Sequence, residues 1–341
     1  MEKQIASLSG QLFKPIFGCE AYVAKQTSSN PEGSRLVVKG KENMSGYHLI
    51  LLAKNEVGYK NLCKIISFGY TEGFYNHPRI DRELLQKYHE GLIVASACLA
   101  GELNRKIEVG NIEGAKETAK WYKSVFGDDF YIEIQRHQTD KPNGKKDVYE
   151  KQSAQNPILI SIAEELGIDV IATNDVHFVR EEDGEAHDRL ICVSTNAKFD
   201  AENRLRYTKQ EWLKSPEEMY AIFSDVPQAL ENTMKIVDKV ETYSLNQAPM
   251  MPAFDIPTDF GTEESYHAKY SHEDLQAEFE PDPKDKGKIE KMGGYDKVYR
   301  VKLEADYLRQ LTMEGAYSRY GEDIPTDIQE RIDFELNTIK N

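Results

Sequence analysis

The chain lacks several features that would place it in common classes of protein. Its 341 residues include only four cysteines, Cys19, Cys63, Cys98 and Cys192. So few thiols are typical of a reduced, cytosolic protein and not of a disulfide framework. No apolar run approaches the roughly 18 residues that indicate a membrane span, and no basic-then-apolar signal opens the chain. The sequence therefore predicts a cytoplasmic protein without a membrane segment.

Basic residues are outnumbered by acidic ones. Lys and Arg number 43 against 58 Asp and Glu, so the formal net charge is −15, and the pI is about 5.1. A chain whose main surface grips phosphates usually has the opposite sign. We therefore expect that this chain does not hold DNA or RNA by itself. It still fits a larger nucleic-acid enzyme whose basic surface lies elsewhere.

The usual motifs of phosphate binding and nucleophilic catalysis are missing as well. The chain contains no Gly-x-Gly-x-x-Gly after a strand, no phosphate loop and no Gly-x-Ser-x-Gly elbow. Nucleophilic catalysis by serine or cysteine therefore has no support. What the chain does contain is ligand-type residues at the ends of apolar runs.

Those apolar runs alternate with helix-like segments from about residue 13 to 240. This alternation predicts an α/β fold with parallel strands. Strands are expected at residues 16–23, 48–53, 92–98, 130–134 and 168–178. Helices are expected after the capping residues Asn55, Asp81 and Ser215 and after Pro157 and Pro227, with Gly127 and Gly167 as terminators. A barrel and an open sheet both fit, and both place their chemistry at the carboxyl ends of strands.

The pattern changes beyond residue 243. Residues 244–296 are first rich in proline and then dense in charge, which predicts a linker. Helical periodicity returns in residues 297–341. Its last apolar stripe runs to Asn341 without a cap, so we expect the chain to stop inside a helix of a longer protein.

The most informative stretch is residues 167–178. Here an apolar run ends in a carboxylate and an imidazole two residues apart, Asp175 and His177. In an extended chain such residues point to the same side, so the two side chains are expected to converge at a strand end. Oxygen and nitrogen donors held together suit a divalent transition metal.

Three further ligand-type residues stand near strand ends. Glu20 lies on the first predicted strand, His48 opens the second and Cys98 ends the third. Pairing of the first two strands as a hairpin would bring His48 near Glu20. With Asp175 and His177 they form a mixed set of oxygen, nitrogen and sulfur donors suited to zinc, manganese or iron. A bridging carboxylate with imidazoles is what a two-metal hydrolytic centre needs.

Each of these residues also has a purely structural interpretation. Cys98 fits a small core residue, His48 a hydrogen-bonded residue at the sheet rim, and Glu20 a solvated turn carboxylate. His137 follows the fourth predicted strand, where it could contact substrate, support a ligand or bind metal. His187 could orient Asp175 or cap its own helix.

Several ordered segments resemble the alpha subunits of bacterial DNA polymerase III, the replicative C-family polymerases. They are residues 14–24 (KPIFGCEAYVA), 48–55 (HLILLAKN), 58–62 (GYKNL), 91–102 (GLIVASACLAGE), 172–177 (ATNDVH), 185–188 (EAHD), 213–219 (LKSPEEM) and 331–336 (RIDFEL). The resemblance is dense over residues 13–240 and weaker from there to residue 341.

In that family this region is the polymerase and histidinol phosphatase (PHP) domain, a distorted (βα)7 barrel that precedes the polymerase palm. The resemblance implies a site of up to three metals, zinc or manganese, with magnesium serving the palm. It assigns direct ligation to His48, Cys98, Asp175 and His177, and a metal-bridging role to Glu20. In some members the intact site removes mispaired nucleotides from a 3′ end. In others it is degraded and serves as a scaffold or docking surface.

Departures from the family pattern lower the expected activity. The family opens with a His-x-His strand, a nearby Asp and a Thr-Asp-His turn, none of which is in this chain. Residues 1–12 resemble the end of a variable insertion, and the palm's aspartates would lie beyond Asn341. We therefore expect a chain truncated at both ends, with weak or partial metal occupancy and little activity.

The predicted organisation follows from this resemblance. The fold class is α/β: an incomplete distorted (βα)7 PHP barrel over residues 13–243, lacking its first strand–helix units, then a mostly helical C-terminal segment. Residues 244–296 are predicted to form a linker, and residues 297–341 the helical start of the palm region.

Three functions are compatible with the sequence. The first is a portion of a DNA-directed DNA polymerase of chromosomal replication, whose implied partners are primer–template DNA, the sliding clamp, the clamp loader and an exonuclease subunit. The second is a stand-alone PHP phosphoesterase acting on a small phosphate monoester. The third is a non-enzymatic module that binds replication partners.

Overall fold

A computed structural model describes residues 14–246 and 254–340 of the chain. The chain divides into two compact units, residues 1–246 and 247–341. Residues 1–13, 247–253 and 341 lie outside the described residues. The predictions that fall there are the N-terminal insertion, the first residue of the PHP domain, part of the linker and the end at Asn341.

A β-hairpin opens the first unit. Strands β1 (Gly18–Ala24) and β2 (Gly46–Ala53) pair antiparallel, with Tyr22 opposite His48. The connecting loop holds an isolated bridge between Thr27 and Asn30 and a short 3-10 turn at Lys41–Asn43. An antiparallel pair needs no helical crossover, so this polar loop is sufficient to return the chain. The hairpin, which the sequence left as one possible pairing, is thus present.

Strands and helices then alternate as the sequence predicts. The elements are α1 (Glu56–Thr71), β3 (Phe74–Tyr75), β4 (His77–Ile80), α2 (Arg82–Lys87), β5 (Leu92–Ala95), α3 (Glu102–Glu108), α4 (Ile112–Phe126), β6 (Phe130–Ile134), α5 (Asp147–Leu166), β7 (Asp169–Ala172), α6 (Gly184–Ser194), α7 (Pro216–Ile222) and α8 (Pro227–Lys239). Two further 3-10 turns lie at Gly127–Asp129 and Glu181–Asp183.

The predicted helix boundaries are largely confirmed. The side chains of Asn55, Asp81 and Ser215 accept hydrogen bonds from backbone N–H groups three residues later, which satisfies donors that the first helical turn leaves unpaired. Gly127 and Gly167 close their helices with positive φ angles of 57° and 60°, where a side chain is disfavoured.

One helix start is wrong. Helix α5 begins at Asp147, not after Pro157, and encloses the proline in its interior. A proline there removes a backbone hydrogen bond. The polar residues before it are nevertheless buried and partnered, because Gln152 contacts His137 and Gln155 accepts from Asn104. Tertiary contacts therefore extend the helix across a residue that normally begins one.

The strands form one seven-stranded sheet in the order β3-β4-β1-β2-β5-β6-β7. The pairs β1–β4, β5–β6 and β6–β7 are parallel, whereas β1–β2, β2–β5 and β3–β4 are antiparallel. The predicted parallel pairing thus holds for three of the six strand pairs, and the sheet is mixed. Among the described residues β3 and β7 do not pair, so the sheet is open, as expected for an incomplete barrel.

Side chains of the central strands are buried on both faces. Leu92 and Val94 of β5 pack into one apolar cluster with Leu51 and Ile65, while Ile93 and Ala95 pack into another with Tyr131. All four β5 residues are at most 2% exposed. Burial of a side chain such as Leu or Ile contributes about 1.5–3 kcal/mol relative to leaving it exposed. The uninterrupted apolar run of β5 is thereby explained, since both faces are covered.

The second unit is helical and has its own core. Its helices are α9 (Glu263–Lys269), α10 (His272–Phe279), α11 (Lys288–Lys291), α12 (Tyr295–Tyr320) and α13 (Thr326–Lys340), with a 3-10 turn at Pro283–Asp285. The core includes Leu275, Phe279 and Val298, which are fully buried. Residues 263–296, predicted as a linker, thus contain helices that share this core with α12. The prediction of a mostly helical C-terminal segment is confirmed.

No helix within the described residues is both long enough and apolar enough to cross a membrane.

Candidate metal centre

The predicted ligands line a single pocket of about 270 Å³. Strands β1, β4, β5, β6 and β7 run in one direction, because each antiparallel step through β2 reverses the chain twice. The segments that follow β5, β6 and β7 therefore emerge at one edge of the sheet, where the reversed β2 begins. The pocket lies there and is lined by Glu20, His48, Cys98, His137, Asp175 and His177.

Strand register brings Glu20 and His48 together. His48 is opposite Tyr22, and Glu20 lies two residues before Tyr22 on the same side of β1. The Nδ1 atom of His48 is 3.0 Å from Glu20 Oε1 and 3.7 Å from Cys98 Sγ. Tyr22 supports the imidazole edge-on, with ring centroids 5.0 Å apart. His48 thus contacts two of the other four predicted ligands, Glu20 and Cys98.

These contacts shift the titration of both groups. The hydrogen bond with Cys98 and then that with Glu20 raise the pKa of His48 to about 10, against the opposing effect of burial. The His48 hydrogen bond in turn lowers the pKa of the Glu20 carboxyl. At neutral pH the pair is an imidazolium beside a carboxylate.

Cys98 reaches the pocket from a turn and not from the predicted strand. Strand β5 ends at Ala95, and Ala97 has a left-handed φ of 62°. The turn closes with a 2.8 Å hydrogen bond from Gly101 N to Cys98 O. A Cβ at Gly101 would lie 2.2 Å from Ser96 O, so this close approach requires glycine. His48 N donates to Ala100 O at 3.1 Å, which ties the turn to β2.

Asp175 and His177 also lie beyond their strand. Strand β7 ends at Ala172, and Asp175 has a φ of 45°, so the extended i, i+2 geometry expected from the sequence is wrong. The two side chains still approach, with His177 Nδ1 3.9 Å from Asp175 Oδ1. His177 Nδ1 donates to the Asp175 backbone carbonyl at 2.6 Å. This bond places the lone pair of a neutral ring on Nε2, the form that a ligating histidine needs.

A buried histidine supports the Asp175 turn from below. His137 is 3% exposed. Its Nε2 donates to Asn174 O at 3.1 Å, and its Nδ1 accepts from the Gln152 side chain at 3.0 Å. Burial lowers the pKa of His137, which agrees with a neutral ring in this tautomer. Since both ring nitrogens are used, His137 holds the turn in this structure and offers no free donor to a cation.

The segment 208–213 holds the same turn from the other side, and the sequence pattern missed it. The Asn174 side chain donates to Gln210 O at 2.9 Å and to Trp212 O at 2.7 Å. His177 N donates to Glu211 O at 2.8 Å. The Glu211 carboxylate accepts hydrogen bonds from within the same segment, from Thr208 N and Oγ1 and from Gln210 N. No spacing signal links positions 174 and 210, because they meet only through the fold.

His187 does not line the pocket. Its ring lies 5.6 Å from that of His177, 5.1 Å from Phe178 and 5.2 Å from Tyr207. Burial, and next the nearby His177, lower its pKa. His187 therefore packs against the rings of His177, Phe178 and Tyr207, and no contact with Asp175 itself is seen among the described residues.

Comparison with known proteins agrees with this architecture. A family model described as PHP domain matches residues 1–137. The DNA polymerase III subunit alpha of Borreliella burgdorferi is 44% identical over 328 residues, 96% of this chain and 24% of that protein. The corresponding subunit of Treponema pallidum is 38% identical over 273 residues, 78% of this chain and 22% of that protein. The chain thus spans about a quarter of the length of these relatives.

The chain is related to the PHP region of bacterial DNA polymerase III alpha subunits. The family resemblance and the mixed α/β fold expected from the sequence are confirmed. The pocket at the carboxyl edge of the sheet occupies the position where an α/β fold normally carries its chemistry.

The metal implied by this PHP relationship can be tested against the residues present. Carboxylate oxygen, imidazole nitrogen and thiol sulfur converge on one pocket, and these donor types suit zinc or manganese. Within residues 14–246 and 254–340, however, no three His, Cys, Asp or Glu side chains are grouped so that they could hold a metal ion as they stand. The donor types therefore fit zinc or manganese. In this structure, however, His48 is hydrogen-bonded to Glu20 and Cys98.

The pocket also has a basic wall that the sequence pattern missed. Arg105, Lys145, Lys151 and Arg206 line it together with Tyr207. These residues come from α3, from the 135–146 loop, from α5 and from the loop before α7. They are not metal-ligand residue types, so the ligand pattern of the sequence gives no sign of them.

Proposed function

We propose that this chain is part of a DNA-directed DNA polymerase that acts in chromosomal replication. The similarity to DNA polymerase III alpha subunits over nearly the whole chain supports this proposal. The polymerase activity, its magnesium, primer–template DNA, the clamp, the clamp loader and an exonuclease subunit belong to the proposal for the whole protein. A cytoplasmic location belongs to it too, in keeping with the free state of all four cysteines.

Within this chain we propose that the pocket is a divalent-metal centre of the PHP type, with weak or partial occupancy. Glu20, His48, Cys98, Asp175 and His177 would hold zinc or manganese. The observation that carries this proposal is their convergence: His48 contacts both Glu20 and Cys98, and Asp175 and His177 line the same pocket.

The chain's own residues would contribute position and charge. A bound divalent metal supplies Lewis acidity and lowers the pKa of water, which serves hydrolysis of a phosphodiester. Asn174 and His137 hold the Asp175 turn, and the Nδ1 bond of His177 orients its ring. Release of His48 from Glu20 and Cys98 would have to accompany metal entry, because ligation requires neutral imidazole. That competition, together with the absence of the family's opening ligands, would favour weak occupancy.

Metal titration of the 341-residue chain tests this proposal. Calorimetry with zinc and with manganese should give less than three equivalents at modest affinity, with little digestion of a DNA 3′ end. Asp175→Asn should weaken binding roughly tenfold or more, as expected for loss of a ligand. Asp169→Asn is the matched control, since Asp169 lies on β7 outside the pocket and pairs with Lys235.

Two outcomes would contradict the proposal. Absence of any metal binding sensitive to Asp175 would remove the metal centre. Tight binding of three equivalents together with digestion of a 3′ end would contradict weak occupancy and assign a full exonuclease site.

A non-enzymatic role is the second candidate. The hydrogen bonds among Glu20, His48 and Cys98 satisfy these side chains without a metal, which favours a pocket retained for the stability of a docking module. On this alternative, alanine at Asp175 or His177 would leave metal content and thermal stability unchanged.

A further inference from the structure

Two of the cations on the basic wall are already neutralised. Arg105 and Lys151 both bind the Glu108 carboxylate, each at 2.8 Å, and Lys151 lies 3.9 Å from Asp147. The hydrogen bond between Lys151 and Glu108 raises the pKa of Lys151 and lowers the pKa of Glu108. Both shifts favour the charged form of each group. These two cations form a local ion-pair network with little charge to offer a ligand.

Lys145 and Arg206 differ in this respect. Within the part of the chain that the structure describes, no carboxylate lies within ion-pair distance of either side chain. The Arg206 guanidinium donates to two backbone carbonyls, Glu202 O at 2.6 Å and Ala201 O at 2.7 Å. Those bonds fix its direction without pairing it to a carboxylate. Although the chain as a whole has a net charge of −15, this pocket wall therefore carries two cations without an ion-pair partner among the described residues.

The same wall contributes a phenol. The hydroxyl of Tyr207 has no hydrogen-bond partner among the described residues, and its ring lies 4.5 Å from that of His177. A 3.0 Å bond from Lys145 N to Tyr207 O joins the two loops, so Lys145, Arg206 and Tyr207 are neighbours. A tyrosine hydroxyl has an ordinary pKa of about 10, well above neutral pH. The phenol therefore remains a donor at neutral pH.

We propose that Lys145, Arg206 and Tyr207 form an anion subsite that takes a phosphate group at the end of a nucleic-acid strand. An ammonium, a guanidinium and a phenol supply the charge-assisted donors that phosphate oxygens accept. A pocket of about 270 Å³ lies near the lower end of small-ligand cavities, which suits a terminal nucleotide. This inference deepens the proposed function and rests on it for the identity of the substrate.

Binding measured without metal tests the subsite separately from the metal centre. The 341-residue chain is titrated in chelator with inorganic phosphate, with thymidine 5′-monophosphate and with a short single-stranded DNA, at low and at high salt. Lys145→Glu should weaken binding of the monophosphate and the oligonucleotide roughly tenfold, since a charged hydrogen bond is lost and a repulsion added. Tyr207→Phe should weaken both roughly twofold to fivefold.

Lys146→Glu is the matched control, because it makes the same charge change at the adjacent residue, which does not line the pocket. It should leave affinity within about twofold. Thermal melting checks that each variant folds, and Lys145 is suited to this because its side chain is exposed. Zinc and manganese titrations of Lys145→Glu should match the unsubstituted chain.

The outcomes separate the two proposals. Equal losses in Lys145→Glu and Lys146→Glu, or no loss in either, would overturn the subsite. Binding of inorganic phosphate with exclusion of the oligonucleotide would overturn its assignment to a strand end. Loss of metal binding with Lys145-dependent anion binding intact would contradict the metal centre and leave the subsite standing.

Discussion

The two halves of the pocket are built by different means. Glu20 and His48 meet because β1 and β2 pair in one register, so backbone hydrogen bonds of the sheet position them. Asp175 and His177 lie beyond the end of β7, on a turn held by Asn174, His137 and the carbonyls of residues 210–212. Residues on paired strands keep their positions through the hydrogen bonds of the sheet. The turn instead depends on a few buried side-chain hydrogen bonds.

The largest expected effect comes from breaking the second half. Asn174→Ala leaves the carbonyls of Gln210 and Trp212 without their donor, so we expect a loss of about 2–4 kcal/mol in the free energy of unfolding. Metal affinity should fall with it, because the Asp175 turn loses its support. Urea unfolding and metal calorimetry measure the two effects.

Asn61→Ala is the matched control. The Asn61 amide donates to a single carbonyl, Glu90 O, at an exposed site, and its loss should cost less than about 1 kcal/mol. If Asn174→Ala and Asn61→Ala lost the same free energy of unfolding, the Asp175 turn would not depend on its contacts with residues 208–213.

A smaller effect is expected in the first half, where the sheet survives loss of the side chains. His48→Asn should cost roughly 1–2 kcal/mol near pH 6, the range of a partly exposed charged hydrogen bond. The folded-state pKa of His48 is raised to about 10, so its stabilisation is full below the unfolded value near 6.5 and disappears as pH rises through about 10. The gap between the unsubstituted chain and the variant should therefore narrow from pH 6 to pH 10.

Urea unfolding in chelator at several pH values measures that gap. Glu20→Gln keeps the His48 ring but removes the carboxylate that contacts it. This variant should lose part of the free energy of unfolding that His48→Asn loses. A gap that stays constant across this pH range would contradict an imidazolium at position 48.

The smallest effect has the opposite pH dependence and sharpens the comparison. Burial lowers the pKa of His137, so its contribution is present above the unfolded value near 6.5 and is lost as pH falls through the lower folded value. His137→Gln should cost about 1 kcal/mol at pH 7, and the gap should shrink toward pH 5. A gap that widens on acidification would show that His137 is protonated in the folded state.

Local signals predicted much of the framework. Caps at Asn55, Asp81 and Ser215 and the terminating Gly127 and Gly167 depend on contacts within a few residues, and these are confirmed. The contact between His48 and Glu20 was expected only if the first two strands paired as a hairpin, and the structure supplies that pairing. The domain boundaries and the roles of the ligands stay predictions.

Other features required distant partners. Helix α5 passes through Pro157 because its polar first half meets Asn104, Gln135 and His137 from other elements. The left-handed Asp175 turn depends on segment 208–213 for the same reason. Residues 263–296, charged and weakly patterned, become helical where Leu275, Phe279 and Ile289 join a core with Val298.

By itself the sequence determined the α/β class, the family and the identity of the ligand-type residues, because periodicity, caps and motifs are written in short stretches. Tertiary structure alone decided that Asp175 sits on a turn, that His137 is a buried support and that Lys145, Arg206 and Tyr207 share the pocket wall. The physical reason is that these arrangements arise from hydrogen bonds and packing between elements far apart in the chain. Such contacts leave no periodic signal in sequence.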